Sequence, residues 1–176
     1  MNRFWIAALA LSAAACSPAL NWRSVRVEGT PLTALLPCKP EQATRPVDLG
    51  SGSVELSLTG CEADGATFAV SHLRLADASQ AGAVLAQWRA AVLARMQAGA
   101  GTAVDQPFVP AGALALPQSV RTAAQGQRPG GGPVAAQAVW FARLEDGQMH
   151  LYHAVVYADR DRLAVADAFF AGLVLQ

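Results

Sequence analysis

Apolar and polar residues alternate in several short segments of the first half of the chain. Residues 22–27 and 54–59 alternate most regularly, and residues 44–49 and 67–74 extend the series as further candidate strands. Successive side chains of a β-strand point to opposite faces of a sheet, so this alternation predicts strands with one buried face. A Gly-Ser-Gly-Ser run and an Asp-Gly pair separate the last three segments and are typical of turns. The pattern therefore predicts a meander of antiparallel strands.

The apolar spacing changes to that of a helix in two later segments. Asp77 and Ser79 supply capping side chains for the first helix, and the glycines from Gly99 onward end it. Its apolar face is formed by Val84, Leu85, Trp88, Val92 and Met96. The second helix is expected to be capped by the Asp-Arg-Asp segment at 159–161 and ended by Gly172. Its apolar positions include Leu163, Ala166, Phe169 and Phe170.

An irregular connection and a hairpin separate the two helices. Residues 98–118 are rich in Gly, Ala and Pro and are expected to be ordered but irregular, with a short strand at 119–124 after them. The glycine-rich run at 126–133 lacks the Gly-Lys-Ser/Thr ending of a phosphate-binding loop, so a turn between strands is expected there. Residues 134–144 and 149–158 flank an Asp-Gly tip and form the clearest predicted hairpin.

These elements predict an α+β domain. Its antiparallel β-sheet should have about six to eight strands, with the two helices packed on it. Residues 22–176 are enough for one compact domain and too few for two, so a single domain is expected.

The first residues have the pattern of an export signal. Arg3 precedes a short apolar run that ends in three alanines directly before Cys16. The run is shorter than the ~20 residues that a membrane-spanning helix needs, so residues 1–15 are expected to be a signal peptide.

The residues that lead into Cys16 resemble a bacterial lipobox, the signature of exported lipoproteins, with Ala13 where that family usually has Leu. The resemblance implies that Cys16 carries a lipid that includes palmitate, anchors the chain in a membrane and leaves residues 16–21 as a tether. Ser17 resembles the outer-membrane sorting pattern of some bacteria, which implies the periplasmic face of that membrane. An ordinary signal-peptidase site at the same bond is the alternative, and it would give a soluble periplasmic protein.

The cysteine count agrees with a lipid on Cys16. An exported protein rarely keeps an odd thiol, and removing Cys16 from the count leaves Cys38 and Cys61 as an even pair. These two are expected to form a structural disulfide bond. Zinc binding would need two further donors in companion motifs that the sequence lacks, and redox chemistry favours cysteines closer together in the chain.

Charge excludes one class of partner. The chain has 13 basic and 13 acidic residues, and the basic ones are spread singly. Nucleic acids bind to clustered Lys and Arg, so no nucleic-acid partner is expected.

No catalytic or metal-binding constellation is recognisable. His150 and His153 are three residues apart on a predicted strand, so they should point to opposite faces and cannot hold one ion. Ser71 and His72 are strand neighbours that also point apart, and no Gly-x-Ser-x-Gly motif is present. The acidic residues at 159–161 are explained as helix caps. We therefore predict no catalytic residue, no metal ligand and no cofactor.

Three motifs carry a family resemblance: Leu-Pro-Cys-Lys-Pro at 36–40, Gly-Cys at 60–61 and Phe-Phe-Ala-Gly-Leu at 169–173. Together they resemble those of a group of uncharacterised proteobacterial exported proteins. The order of strand, Leu-Pro-x-Lys-Pro, meander and closing helix is more distantly similar to PsbP-like α/β/α sandwiches. That resemblance covers most of residues 22–175 and implies a non-enzymatic binding or assembly factor, and it assigns no functional residue.

The sequence thus favours a lipid-anchored binding or accessory module of the cell envelope, with an envelope protein as its partner. The alternative is a small periplasmic hydrolase or ligand-binding protein with a pocket near residues 98–133.

Overall fold

A computed structural model describes residues 19–48, 53–99 and 101–176. The expected signal peptide, Cys16 and half of the tether lie outside these residues, as does most of the turn expected at 50–53. The elements in chain order are β1 (Arg23–Arg26), β2 (Leu32–Leu36), β3 (Glu41–Asp48), β4 (Ser53–Ala63), β5 (Ala66–Leu75), α1 (Ala81–Arg95), β6 (Ala103–Pro107), β7 (Val120–Gln127), β8 (Pro133–Glu145), β9 (Gln148–Ala158), α2 (Leu163–Ala171) and β10 (Val174–Leu175).

Seven strands form the main sheet in the order β3-β4-β5-β9-β8-β7-β6, and all neighbours are antiparallel. A second sheet of three strands has the order β1-β2-β10 and is also antiparallel. With two helices packed on these sheets, the molecule has the predicted α+β class, and the main sheet has a strand number within the predicted range of six to eight. The division of the strands into two sheets was not predicted. No helix among the described residues is long and apolar enough to cross a membrane.

The two faces of the main sheet are covered by different layers. We call them the α1 face and the α2 face after the helix that packs on each. The core on the α1 face includes Leu73, Val84, Leu85, Trp88, Trp140, Leu151 and Val155. The core on the α2 face includes Leu32, Ala34, Leu36, Phe68, Val70, Phe141, Tyr152, Phe169 and Phe170. The predicted apolar stripe of α1 is therefore the surface that it buries, and α2 buries Ala166, Phe169 and Phe170 of its predicted stripe. Leu163, which was also predicted to lie on that stripe, is exposed at the start of the helix.

The three-stranded sheet shares the α2 face with α2 and lies over the middle of the main sheet. The side chains of Leu32, Ala34 and Leu36 on β2 are fully buried against that face. By contrast, β3 at the end of the main sheet is almost entirely exposed. The covering layer thus leaves the β3–β4 end of the α2 face open.

Cys38 and Cys61 form the predicted disulfide bond, with their Cα atoms 5.9 Å apart. Cys38 lies between β2 and β3, where the chain leaves the small sheet and enters the large one, and Cys61 lies on β4. The bond therefore fixes the corner at which the chain changes sheets.

Three local predictions were wrong. The Asp77 side chain caps a single 3₁₀ turn at Ala78–Gln80, and α1 begins after that turn, at Ala81, without a side-chain cap. Residues 103–107, expected to be irregular, form β6, which pairs with β7 and ends at Pro107. As a short edge strand it is largely exposed, so its sequence has no alternation to reveal it. The segment 159–161 does not cap α2, which begins at Leu163 without a side-chain cap. Asp159 instead pairs with Arg128, and Asp161 accepts a hydrogen bond from the Gln137 side chain.

The C-terminal end of α1 is fixed to β7 by main-chain contact. The Gln127 N–H donates to the Met96 carbonyl oxygen at 2.6 Å. Next to it, a Cβ atom on Gly126 would lie 2.3 Å from the same oxygen. Only glycine allows this approach, so Gly126 sets how closely the helix end packs on the sheet.

Candidate functional site: a polar groove and a histidine pair

A polar groove of about 570 Å³ lies at the open end of the α2 face. Its floor is formed by β3, β4 and β5, and the turn between β1 and β2 forms one wall. The polar side chains that line it belong to Glu28, Gln42, Thr44, Glu55, Ser57, Thr59, His72 and Arg74.

Strand register explains why polar groups converge here. Thr44 lies opposite Ser57, and Ser57 lies opposite His72, so three adjacent strands contribute one row of side chains. Gln42 and Thr59 are paired in the neighbouring row on the same face. Adjacent strands are about 4.8 Å apart, so the rows give a regular grid of hydrogen-bonding groups. The hydroxyl oxygens of Thr44 and Ser57 are 3.3 Å apart.

Arg74 ties the wall of the groove to its floor. Its Nη2 donates a hydrogen bond to the Gly29 carbonyl oxygen at 2.8 Å. Gly29 has φ of +70°, and a Cβ atom there would lie 3.0 Å from the same guanidinium nitrogen, so the turn requires glycine. A second open groove lies beyond this contact and is lined by Arg26, Thr30, Glu145, Gln148 and His150, among others.

A histidine pair lies between the two grooves. Nε2 of His72 is 2.9 Å from Nδ1 of His150, and the rings stack with centroids 5.1 Å apart. Both side chains are buried, and Tyr152 packs beside them. Burial lowers the pKa of His72 to about 3, and the charges of His150 and Arg74 act in the same direction. Burial, followed by the charge of Arg74, also lowers the pKa of His150. Both rings are therefore neutral at neutral pH.

This geometry favours hydrogen bonding over catalysis or metal binding. The facing nitrogens of the two histidines are engaged with each other, and Ser71, which pairs with His153, points to the α1 face. Among the described residues, no group of three or more His, Cys, Asp or Glu is placed to hold a metal ion.

His153 lies on the α1 face, as the spacing from His150 predicted. Its ring stacks on Trp140 at 4.7 Å between centroids and meets Trp88 edge to face. Burial lowers its pKa to about 3, and its Nε2 has no hydrogen-bond partner within the described parts of the chain. His153 is therefore a core residue and takes no part in the groove.

The sequence did not predict the groove or the contact between His72 and His150. These two residues are 78 positions apart, and β5 and β9 become neighbours only in the folded sheet. Their contact follows from the register that places Arg74 opposite His150 and His72 opposite Tyr152. Alternation indicated which face each residue occupies, and it carried no signal for which strands are adjacent.

The region near residues 98–133, where the alternative function placed its pocket, contains two distinct features. Arg89 on α1 binds the carboxylate of Asp105 at 2.7 Å and the hydroxyl of Thr122 at 3.1 Å, which joins α1 to β6 and β7. A separate cavity of about 250 Å³ lies between the end of α1 and the turn that joins β7 to β8.

The comparisons with known proteins are negative: no protein-family model, curated protein sequence or solved structure matches the chain.

Proposed function

We propose that this protein is an exported, lipid-anchored module of the cell envelope that acts by binding a partner protein through the polar groove on the α2 face. One observation carries the proposal: the covering layer stops short of β3 and β4, and the sheet surface that it leaves open is lined by eight polar side chains. Rigid strands that hold several donors and acceptors in register suit the recognition of a polar, extended segment.

The charges of the groove agree with a partner of mixed polarity. Glu28 and Glu55 supply negative charge, Arg74 supplies positive charge, and the remaining polar groups are neutral. In addition, β3 ends the main sheet, so its outer edge can pair with an extended segment of a partner chain. The proposed ligand is therefore a polar peptide segment that lies along β3 and reaches into the groove.

Two observations about the cysteines support the proposed envelope location. The disulfide bond between Cys38 and Cys61 is typical of an oxidising compartment such as the periplasm. The residues before Cys16 resemble a lipobox, which would leave no free thiol in the mature chain. The proposed location is the periplasmic face of the outer membrane.

Site-specific photocrosslinking tests the binding surface. A photoreactive phenylalanine analogue replaces Ser57 in the groove in one variant and exposed Gln106 on β6, at the other end of the sheet, in the control. We expect illumination of intact cells to give a defined envelope-protein adduct from position 57 and none from position 106. Equal adducts from both positions, or none from position 57, would contradict the proposal.

Intact mass of the membrane-extracted protein tests the anchor separately. We expect a diacylglyceryl increment at Cys16 and two thiols that become alkylated only after reduction. A free N-terminal Cys16 without lipid would instead indicate a soluble periplasmic protein, and it would leave the groove proposal intact.

A further inference from the structure

The cavity between the end of α1 and the turn after β7 differs from the groove in its chemistry. Its walls are mainly apolar and come from Val92, Met96, Pro129, Val134 and the ring of Tyr157. Met96 and Val134 are buried, whereas the mouth is open to solvent. An apolar lining with a few polar groups at the mouth is the usual character of a small-molecule site.

Main-chain hydrogen bonds hold these walls in place. The Met96 carbonyl oxygen accepts from the Gln127 N–H at 2.6 Å, which fixes the helix end against β7. The turn above it is closed by the Arg128 N–H, which donates to the Gly132 carbonyl oxygen at 2.9 Å. A ligand would therefore enter a cavity that is already formed, and it would not have to order the chain.

The polar groups of the cavity have a net positive charge. Arg95 and Arg128 line it together with Thr67 and Gln127, and the described lining contains no acidic side chain. Arg128 is neutralised by Asp159 at 2.6 Å. Arg95 is exposed and makes no hydrogen bond or ion pair with any described residue. One uncompensated guanidinium thus lies beside an apolar cavity.

Tyr157 adds a hydrogen-bond donor to the same site. Burial raises its pKa to about 12, against the opposing charge of Arg95, so the hydroxyl keeps its proton at neutral pH. The hydroxyl has no hydrogen-bond partner among the described residues.

We propose that this cavity binds a medium-chain fatty acid in its carboxylate form. The acyl chain lies among Val92, Met96 and Val134, and the carboxylate pairs with the Arg95 guanidinium and accepts a hydrogen bond from Tyr157. The cavity volume of about 250 Å³ accommodates about eight methylene-sized groups at roughly 30 Å³ each. This site lies on the α1 face and is independent of the groove proposed for the protein partner.

Calorimetric titration of the mature protein with three eight-carbon ligands tests the proposal. Octanoate, octylamine and 1-octanol share one tail and differ in the charge of the head group. We expect saturable one-site binding of octanoate, with octanol weaker and octylamine weakest. Equal binding of octylamine and octanoate, or no saturable heat with octanoate, would overturn the proposal.

Two arginine variants show whether octanoate binds at this cavity or is attracted by positive charge elsewhere on the surface. Arg95→Gln should weaken octanoate binding by about tenfold or more, because a charge-assisted hydrogen bond is lost. The control Arg160→Gln removes the same charge from an exposed residue that does not line the cavity, and it should leave octanoate binding unchanged. Thermal unfolding of both variants without ligand shows whether each is folded. A folded Arg95→Gln variant that binds octanoate like the wild type would refute the assignment of Arg95.

Discussion

His72 Nε2 and His150 Nδ1 lie 2.9 Å apart between two stacked, buried rings. A hydrogen bond at this distance needs one proton between the two nitrogens, so one ring donates and the other accepts. If both facing nitrogens carried protons, the two rings would repel each other in a site with little water. The hydrogen bond between the two rings is therefore lost when both histidines are protonated.

The first prediction concerns stability against acid. The chain contains three histidines, and all three have a lowered pKa in the folded state, with values of about 3 for His72 and His153. The unfolded chain takes up protons near the ordinary histidine pKa of 6.5, while the folded chain resists them. The free energy of unfolding should be constant above about pH 7 and fall below about pH 6.5, by up to ~1.4 kcal/mol per pH unit for each histidine.

Urea unfolding between pH 7.5 and pH 4.5 measures this slope. His72→Asn should reduce the slope of the free energy of unfolding against pH by the contribution of one histidine. A free energy of unfolding that stays flat down to pH 5 would show that the folded state accepts these protons.

The second prediction compares the same substitution at two histidines on opposite faces. His153→Phe keeps the stacking on Trp140 and removes a buried Nε2 that has no hydrogen-bond partner among the residues that the structure describes. It should therefore stabilise the fold by about 1 kcal/mol at pH 7. His150→Phe removes the partner of His72 and should destabilise the fold by about 1–3 kcal/mol. Chemical denaturation of the two variants checks the opposite signs, and a loss of stability in both would contradict the assigned contacts.

The third prediction concerns the helix end at Gly126. Gly126→Ala would place a methyl group 2.3 Å from the Met96 carbonyl oxygen, so α1 must shift, and stability should fall by about 2 kcal/mol. Gly99→Ala is the matched control, because its Cβ atom would meet only the Thr102 side chain at an ordinary 3.6 Å. Its effect should stay within about 0.5 kcal/mol. Thermal or urea unfolding measures the change in stability of each variant. Equal changes in the two variants would show that the end of α1 is not closely packed on Gly126.

The fourth prediction concerns the disulfide bond. The bonded cysteines are 23 residues apart, and opening a loop of this size should cost about 3 kcal/mol on the chain-entropy model. The Cys38→Ser, Cys61→Ser double variant should show this loss in urea unfolding. Hydrogen exchange should accelerate first in β3, which pairs only with β4 among the described strands. Unchanged protection of the β3 amides would indicate that strand pairing alone, without the disulfide bond, keeps β3 in the sheet.

Much of the local structure could be predicted from the sequence because its causes are local. The two Asp-Gly pairs form tight turns in which both residues have positive φ, with Asp64 at 50° and Gly65 at 70°. The apolar stripe of α1 became its buried face, including Trp88. The cysteine count, taken with the oxidising compartment that the expected export signal implies, predicted the disulfide bond.

The features that the sequence did not reveal depend on contacts between distant segments. Asp161 looks like a helix cap in isolation, and it instead binds Gln137, whose side chain also accepts hydrogen bonds from Arg121. The groove arises because the three-stranded sheet ends before β3. How far one layer extends over another depends on the packing of several segments, so no single segment of the sequence predicts it. The fatty-acid cavity likewise joins the end of α1 to a turn more than thirty residues later, at Pro129.

The pairing of β10 with β2 has a consequence for the order of folding. Val174 lies opposite Thr33, and the Gln176 N–H donates to the Pro31 carbonyl oxygen, so the three-stranded sheet joins segments from opposite ends of the described chain. A contact between such distant segments forms late, because closing a long loop costs entropy before the contact returns any stability. During synthesis, the edge of β2 that faces β10 therefore stays unpaired until residues 174–176 have been made. Pulse-labelled hydrogen exchange during refolding should show the β2 amides facing β10 protected after those of the β8–β9 hairpin. A partly synthesised chain would thus expose an unpaired edge of β2 to chaperones or to aggregation until residues 174–176 join the sheet.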